Sequence, residues 1–185
     1  EVGFHERWVF ISPRSDYTRA HADGEQTFPS GSLLVADIDG FLDGSSPLTA
    51  LFTPTATTSL GGFTCTRHRV VLDVLDDVRD VLSVASPPLD VDGDWSIDLL
   101  SGAPTVWTLS ASAVDGAERD DLWLSGSDFI TPESLYVLAL DDDAPPSLIR
   151  QAPARFDATD IIIEQHFAAS ADGTRIPYFI VGSES

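Results

Sequence analysis

Glu164–Val181 reads EQHFAASADGTRIPYFIV, and this stretch decides the fold. Ile161 to Ala169 is rich in β-formers, Ser170 to Thr174 carries turn chemistry, and Ile176 to Val181 is β-rich again. That order predicts a strand, a tight turn and a second strand. Asp172-Gly173 suits a hairpin turn because glycine takes positive φ without steric penalty. Pro177 removes a backbone donor, which makes the second strand an edge strand or one paired on a single side.

Working upstream, the same reading recurs. Strands are expected at Arg7–Ser12, Ser32–Ile38, Ala50–Phe52, Phe63–Thr66, Arg69–Leu75, Asp80–Ser86, Trp95–Leu100, Val106–Val114, Asp121–Ser127, Ser134–Leu140 and Ser147–Gln151. Val, Ile, Thr, Phe, Tyr and Trp concentrate there, as half-buried strands require. Turn residues punctuate them at Arg67-His68, Asp76-Asp77-Val78, Pro87 to Gly93, Ala113 to Gly116 and Ala139 to Pro146. Asp16 to Ser30 is polar, with Gly24 and Pro29, and reads as a loop. No segment sustains a 3.6-residue apolar stripe; the best helical candidate, Asp37 to Leu42, is short and broken by Gly40. The fold class is therefore all-β, with few or no helices. Four antiparallel strands in about 40–50 residues form the unit of a β-propeller blade. One such group spans about 60–100, another about 105–151, and a partial group lies at 1–55. A β-sandwich fits the strand count nearly as well on physical grounds.

Several of these segments, taken in order, resemble the prolyl oligopeptidase family of serine peptidases. The hairpin carries Ser170, Asp172, Gly173, Thr174, Ile176 and Pro177, similar to the Ser-x-Asp-Gly-Thr-x-Ile/Val-Pro strand pair that leads from a propeller into an α/β-hydrolase domain. Ala152-Pro153-x-Arg155-Phe156-Asp157-Ala158 is similar to the linker before it. Asp128-Phe129-Ile130-Thr131-Pro132-x-x-Leu135-Tyr136 resembles the start of a strand in a late blade. Thr66-Arg67 followed by Val70 to Val81 resembles an earlier blade, and Pro29-x-Gly31-Ser32-Leu33-Leu34 with Leu51-Phe52-Thr53-Pro54 fits the bacterial branch.

The resemblance shifts the balance toward a partial propeller of about three four-stranded blades over 1–157, with 158–185 a hairpin leading into an α/β-hydrolase domain absent from this chain. It implies a non-catalytic piece of a serine peptidase whose propeller gates access of short peptides. The implied partners are that hydrolase domain and those peptides. The family's Ser, Asp and His all lie downstream of the hairpin, so no catalytic residue is carried over. The chain opens at Glu1 without an initiator methionine, which also reads as a piece of a longer protein. The rival reading is a stand-alone β-sandwich binding module of a secreted or surface protein; another is a small hydrolase complete in itself. An open half-ring would expose the broad faces of its terminal blades, so a homodimer through those open parts is expected.

Composition narrows the function classes. The chain has 185 residues and a formal charge of −20, with 30 acidic residues and ten basic ones. All ten are Arg; there is no Lys, Asn or Met. Scattered Arg in so acidic a chain argues against nucleic-acid binding, which needs clustered cations to release counterions. An anionic membrane surface would repel it for the same reason. The single Cys65 excludes an intrachain disulfide framework, and its apolar setting predicts a structural thiol. No apolar run approaches the roughly 20 residues that span a bilayer.

The remaining candidates weaken when their spacing is tested. No Gly-x-Ser-x-Gly elbow occurs; Gly126-Ser127 and Gly182-Ser183 lack its glycine pattern, and His166 lies on an expected strand. His5, His21 and His68 are too widely spaced for a zinc set. Asp90-Val-Asp92-Gly93-Asp94 begins like a calcium loop, but Trp95 and Ser101 stand where an EF-hand needs Gly and Glu. Asp37-Ile-Asp39-Gly40 fails likewise, with Leu42 and Leu48 there, and Asp141-Asp142-Asp143 reads as a solvated turn. Neither metal nor cofactor is expected. Trp8, Trp95, Trp107 and Trp123 could stack on sugars, but sit in apolar strands where packing between sheets is the simpler reading. Arg67 and Arg69 flank a turn, where such residues either face a channel or partner domain or are exposed.

Overall fold

The computed structural model describes residues 1–21, 24–90, 93–142 and 144–183, with the side chain of His21 left out. Among them the strands form three four-stranded antiparallel sheets and two hairpins. The first sheet has the order β1 (Val2–His5), β2 (Trp8–Ile11), β5 (Leu33–Asp37), β6 (Thr49–Phe52). Hairpin β3 (Tyr17–His21) and β4 (Gly24–Phe28) and helix α1 (Ile38–Asp43) are inserted in it. The second runs β7 (Thr58–Cys65), β8 (Val70–Asp76), β9 (Arg79–Ser86), β10 (Ser96–Leu99). The third runs β11 (Thr108–Ala113), β12 (Asp121–Ser127), β13 (Ser134–Ala139), β14 (Ser147–Gln151). The chain then forms the hairpin of β15 (Ile161–Ala169) and β16 (Arg175–Ser183).

The sheets stack as consecutive blades because period-2 alternation sends the side chains of the inner strands to both faces of the sheet, where apolar ones meet the neighbouring sheets. On β8, Val70 and Leu72 point to the first sheet, packing with Trp8, Phe10, Leu33 and Val35, while Val71 points to the third. On the third sheet Leu109, Leu122, Leu124 and Leu138 close that second seam, and Leu122 and Leu124 are wholly buried. Each such leucine contributes about 1.5–3 kcal/mol. Strands β10 and β14 are exposed along their whole length, which marks them as outer strands. The all-β, blade-built reading holds, and among the described residues helix is confined to one short segment.

Three details correct the sequence reading. The strand expected at Arg7–Ser12 is β2, and it is preceded by a strand the sequence reading did not expect, β1, joined to it through Glu6, whose φ is 51°. The strand expected from Phe63 starts at Thr58, and a bulge between Leu60 and Gly62 accommodates Gly61-Gly62 within it. The expected loop Asp16–Ser30 contains the β3–β4 hairpin, held by the Thr18–Thr27 hydroxyl pair at 2.9 Å and by packing of Tyr17 and Phe28. That hairpin and α1 cover Val9, Leu34, Ala36 and Leu48, while Val2 and Phe4 on β1 are exposed.

Candidate functional site

The β15–β16 hairpin, the most informative motif in the sequence, closes as its residue types dictate. Gly173 sits at φ 85°, Ser170 N–H donates to the Thr174 carbonyl at 2.9 Å, and Gly173 N–H donates to the Ser170 carbonyl at 3.0 Å. Asp172 accepts from the Ser170 hydroxyl and from Thr174 N–H, and these hydrogen bonds hold its carboxyl down at about 2. Pro177 lies opposite Phe167, and β16 pairs with β15 alone among the described residues.

The hairpin is anchored to the third blade by aromatic contact. The Phe179 ring lies 4.7 Å from Trp107, edge-on, and 5.2 Å from Phe129, centroid to centroid. Arg79 covers Trp107, with Cζ 5.5 Å from the ring centre. Trp107 is tied back to the second blade by Asp80 N–H donating to its carbonyl at 3.1 Å. The Asp80 carboxylate accepts from Leu109 N–H at 3.0 Å. Asp128 braces the adjoining loop, accepting from Ile130 N–H at 2.9 Å and Thr131 N–H at 2.6 Å. Beside this loop a groove of about 280 Å³ is lined by Phe129, Pro132, Pro153, Arg155 and Phe156. The late-blade motif, the linker motif and the hairpin motif thus gather at one end of the blades.

The opposite end, where β7 turns into β8 and β11 into β12, holds a buried polar cluster. The Asp120 side chain is 3% exposed. It accepts from the Thr66 hydroxyl at 2.6 Å and from His68 N–H at 2.8 Å, and His68 Nδ1 lies 2.6 Å from its second oxygen. Burial pushes its pKa up, but these bonds outweigh burial and hold it below the ordinary 3.8. Arg67 N–H donates to the Arg119 carbonyl at 3.0 Å and its guanidinium to the Glu118 carbonyl at 3.3 Å. Arg69 pairs with Asp141 at 2.7 Å. Arg67 and Arg69 therefore bridge the second and third blades instead of standing free in a turn. Asp120 was not singled out by the sequence, where it is one acidic residue among 30.

The other candidates are dispersed. Asp37 caps α1, accepting from Gly40 N–H at 3.1 Å and from Arg7 Nε at 2.8 Å. Asp90 offers its carbonyl to Gly93 N–H at 3.0 Å, and Val91 and Asp92 lie outside the described residues, as does Asp143. Asp142 accepts from Ala144 N–H at 3.2 Å. Among the described residues no three His, Cys, Asp or Glu side chains converge to hold a metal. His166 stacks on Tyr178 and lies 3.2 Å from Glu164; His5 is on β1, and His21 ends β3. Gly126-Ser127 ends β12, and Gly182-Ser183 ends β16. Cys65 is half-buried, and burial raises its thiol to about 11. Trp8 packs edge-on against Trp95 at 5.0 Å in the first seam, and Trp123 is half-buried in β12. No described helix is long and apolar enough to cross a membrane.

No family model matches the chain. It is 32% identical over 184 residues to an uncharacterized peptidase of Sinorhizobium fredii, across 97% of this chain and 24% of the relative. It is 26% identical over 185 residues to an uncharacterized peptidase of Rickettsia prowazekii, again across 97% and 24%. The chain therefore spans about a quarter of the length of the curated relatives it matches. Among solved structures, a post-proline cleaving enzyme from Rickettsia typhi superposes with a TM-score of 0.75 at 24% identity, over 99% of this chain and 26% of that one. Prolyl oligopeptidase B from Galerina marginata gives 0.66 at 18%, over 100% and 24%. The resemblance read from the motifs is borne out by these likenesses.

Proposed function

We propose, from the premise that this chain is a propeller segment related to prolyl oligopeptidase-like peptidases, that it serves as part of the gate of such a peptidase. The residues 1–157 form the blades and 158–185 the lead into a hydrolase domain of the same polypeptide. The observation that carries this reading is the seating of Phe179 between Trp107 and Phe129. It seats the middle of β16, just past the Ser170–Pro177 motif, against the end of the third blade, as a segment joining propeller to hydrolase domain requires. The wall of blades then limits entry to short peptides, and the chemistry is acyl transfer to water by a Ser–His–Asp set outside this chain.

Two measurements test it. A fluorophosphonate that labels active serines should leave this chain unlabelled and label the longer polypeptide that continues past Ser185. The longer polypeptide should cleave short peptides and spare folded proteins, and deleting the blades should relax that size limit. Labelling of the 185-residue chain, or size selection unchanged without the blades, would overturn the proposal.

A further inference from the structure

The outer strands of the second and third blades differ from the rest of the strands in what they leave unmatched. β10 (Ser-Ile-Asp-Leu) and β14 (Ser-Leu-Ile-Arg-Gln) are exposed at every residue. Each carries large apolar side chains into solvent: Leu99 is 72% exposed, Leu148 53% and Ile149 52%. Each also carries one charge that forms no ion pair among the described residues, Asp98 on β10 and Arg150 on β14. Among the described residues neither strand has a neighbour on its outer edge. Leu100 N–H donates inward to Leu82, so alternation turns the peptide groups of Ile97 and Leu99 outward, toward the free edge. Next to β10 lies a groove of about 340 Å³, lined by Val84, Leu99 and Leu138 together with Arg69, Asp98 and Asp142.

Free edges with apolar side chains are templates for strand addition. We infer that two copies of this chain associate through these edges, β10 of each copy pairing with β14 of the other about a two-fold axis, with Asp98 set against Arg150. The charges select this pairing over its alternatives. β10 against β10 sets Asp98 beside Asp98, and β14 against β14 sets Arg150 beside Arg150; like charges across strands are unfavourable. The crossed arrangement matches opposite charges and, because each copy offers both strands, forms the contact twice. It continues each outer sheet edge into the partner and covers Leu99, Leu148 and Ile149. It leaves both ends of the blades untouched, so it is independent of the gating role proposed above.

The test is sedimentation of the 185-residue chain at micromolar concentration in about 0.15 M salt, where a Debye length of about 8 Å screens the mutual repulsion of two chains of charge −20. The wild type should dimerise. Asp98→Arg and Arg150→Asp should each raise the dimer dissociation constant by about tenfold or more, and the two together should restore it. Circular dichroism melts confirm that each variant keeps its strands. A monomeric wild type, a dimer indifferent to both single changes, or a charge swap that fails to restore association would each overturn the inference; the second would move the contact to another face, such as Val2 and Phe4 on β1.

Discussion

Asp120 and His68 meet across the seam between the second and third blades, 52 residues apart in the chain and 2.6 Å apart in space. His68 is exposed at the surface while the Asp120 carboxylate is buried beneath it. With Thr66 behind it, this carboxylate serves three donors on the β7–β8 turn. A buried charge is costly unless it is bonded in this way. Asp120→Ala leaves the buried Thr66 hydroxyl and the His68 amide without their acceptor and should cost about 2–4 kcal/mol. Asp120→Asn keeps one acceptor and should cost less. Urea midpoints measured at pH 7 separate the two variants.

The same carboxylate sets an acid limit. Its folded pKa is depressed below 3.8, so the folded state resists protonation more than the unfolded chain does. Its contribution is complete above 3.8 and is lost as pH falls through the lowered folded value. The wild type should therefore lose stability more steeply than Asp120→Asn as pH drops below about 4. Parallel acid profiles of the two proteins would contradict this.

Asp73 works in the opposite direction. Burial first, and then the charge of Asp80, raise its pKa from 3.8 to about 6. The folded state thus binds the proton more tightly than the unfolded chain. Asp73 lowers stability progressively as pH rises from about 4 to about 6, and the penalty is full above that. Asp73→Asn should stabilise the protein at pH 7 by about 1–2 kcal/mol, the solvent-screened part of that shift. At pH 4 it should change little, which a pair of denaturation series would reveal.

The blades were legible where runs of β-formers stand between clear turn residues. The strands at Asp121–Ser127 and Ser147–Gln151 coincide with β12 and β14 residue for residue. Legibility failed where stability comes from distant packing. Tyr17–His21 and Gly24–Phe28 are polar and Gly-bearing, and contacts made only in the folded chain, Tyr17 and Phe28 against the first blade and Arg19 on Phe41, hold them as a hairpin. Val2–His5 is short, and its pairing with β2 shows only in register. The hairpin motif was legible because Asp-Gly carries its own turn geometry. Its seat on Trp107 and Phe129 was not, since three aromatic rings 22 to 72 residues apart in numbering meet only once the third blade is built. Asp120 was hidden for a like reason, with its hydroxyl donor 54 residues away.

Net charge makes a prediction that no single residue does. At −20 the folded chain confines repulsion that the unfolded chain relaxes. Among the described residues, three acidic side chains pair with Arg: Asp37 with Arg7, Asp141 with Arg69 and Asp121 with Arg119. Screening the remainder should matter more than weakening those surface pairs, each of which contributes about 0–1 kcal/mol. The urea midpoint should rise as sodium chloride is raised from about 0.01 M to about 1 M, across which the Debye length falls from about 30 Å to about 3 Å. A midpoint that falls with salt would mean that the ion pairs dominate.

The hairpin should detach as a unit when its anchor is removed. Beyond the aromatic contacts of Phe179, β15 and β16 bond chiefly to each other, and an isolated two-stranded hairpin is marginal in water. Phe179→Ala deletes both ring contacts at once. A half-buried ring with two aromatic neighbours should contribute about 2 kcal/mol to docking. The blades close their two seams through residues that Phe179 does not touch, so their unfolding midpoint should barely move. Instead, Trp107 should become accessible to a collisional fluorescence quencher, and limited proteolysis should cut sooner between Ala152 and Asp160, where the linker meets the hairpin. Phe179→Leu should lie between wild type and Ala on both readouts. If Phe179→Ala instead lowered the global midpoint without speeding cleavage of the linker, Phe179 would belong to the blade core and the hairpin would be held by other contacts.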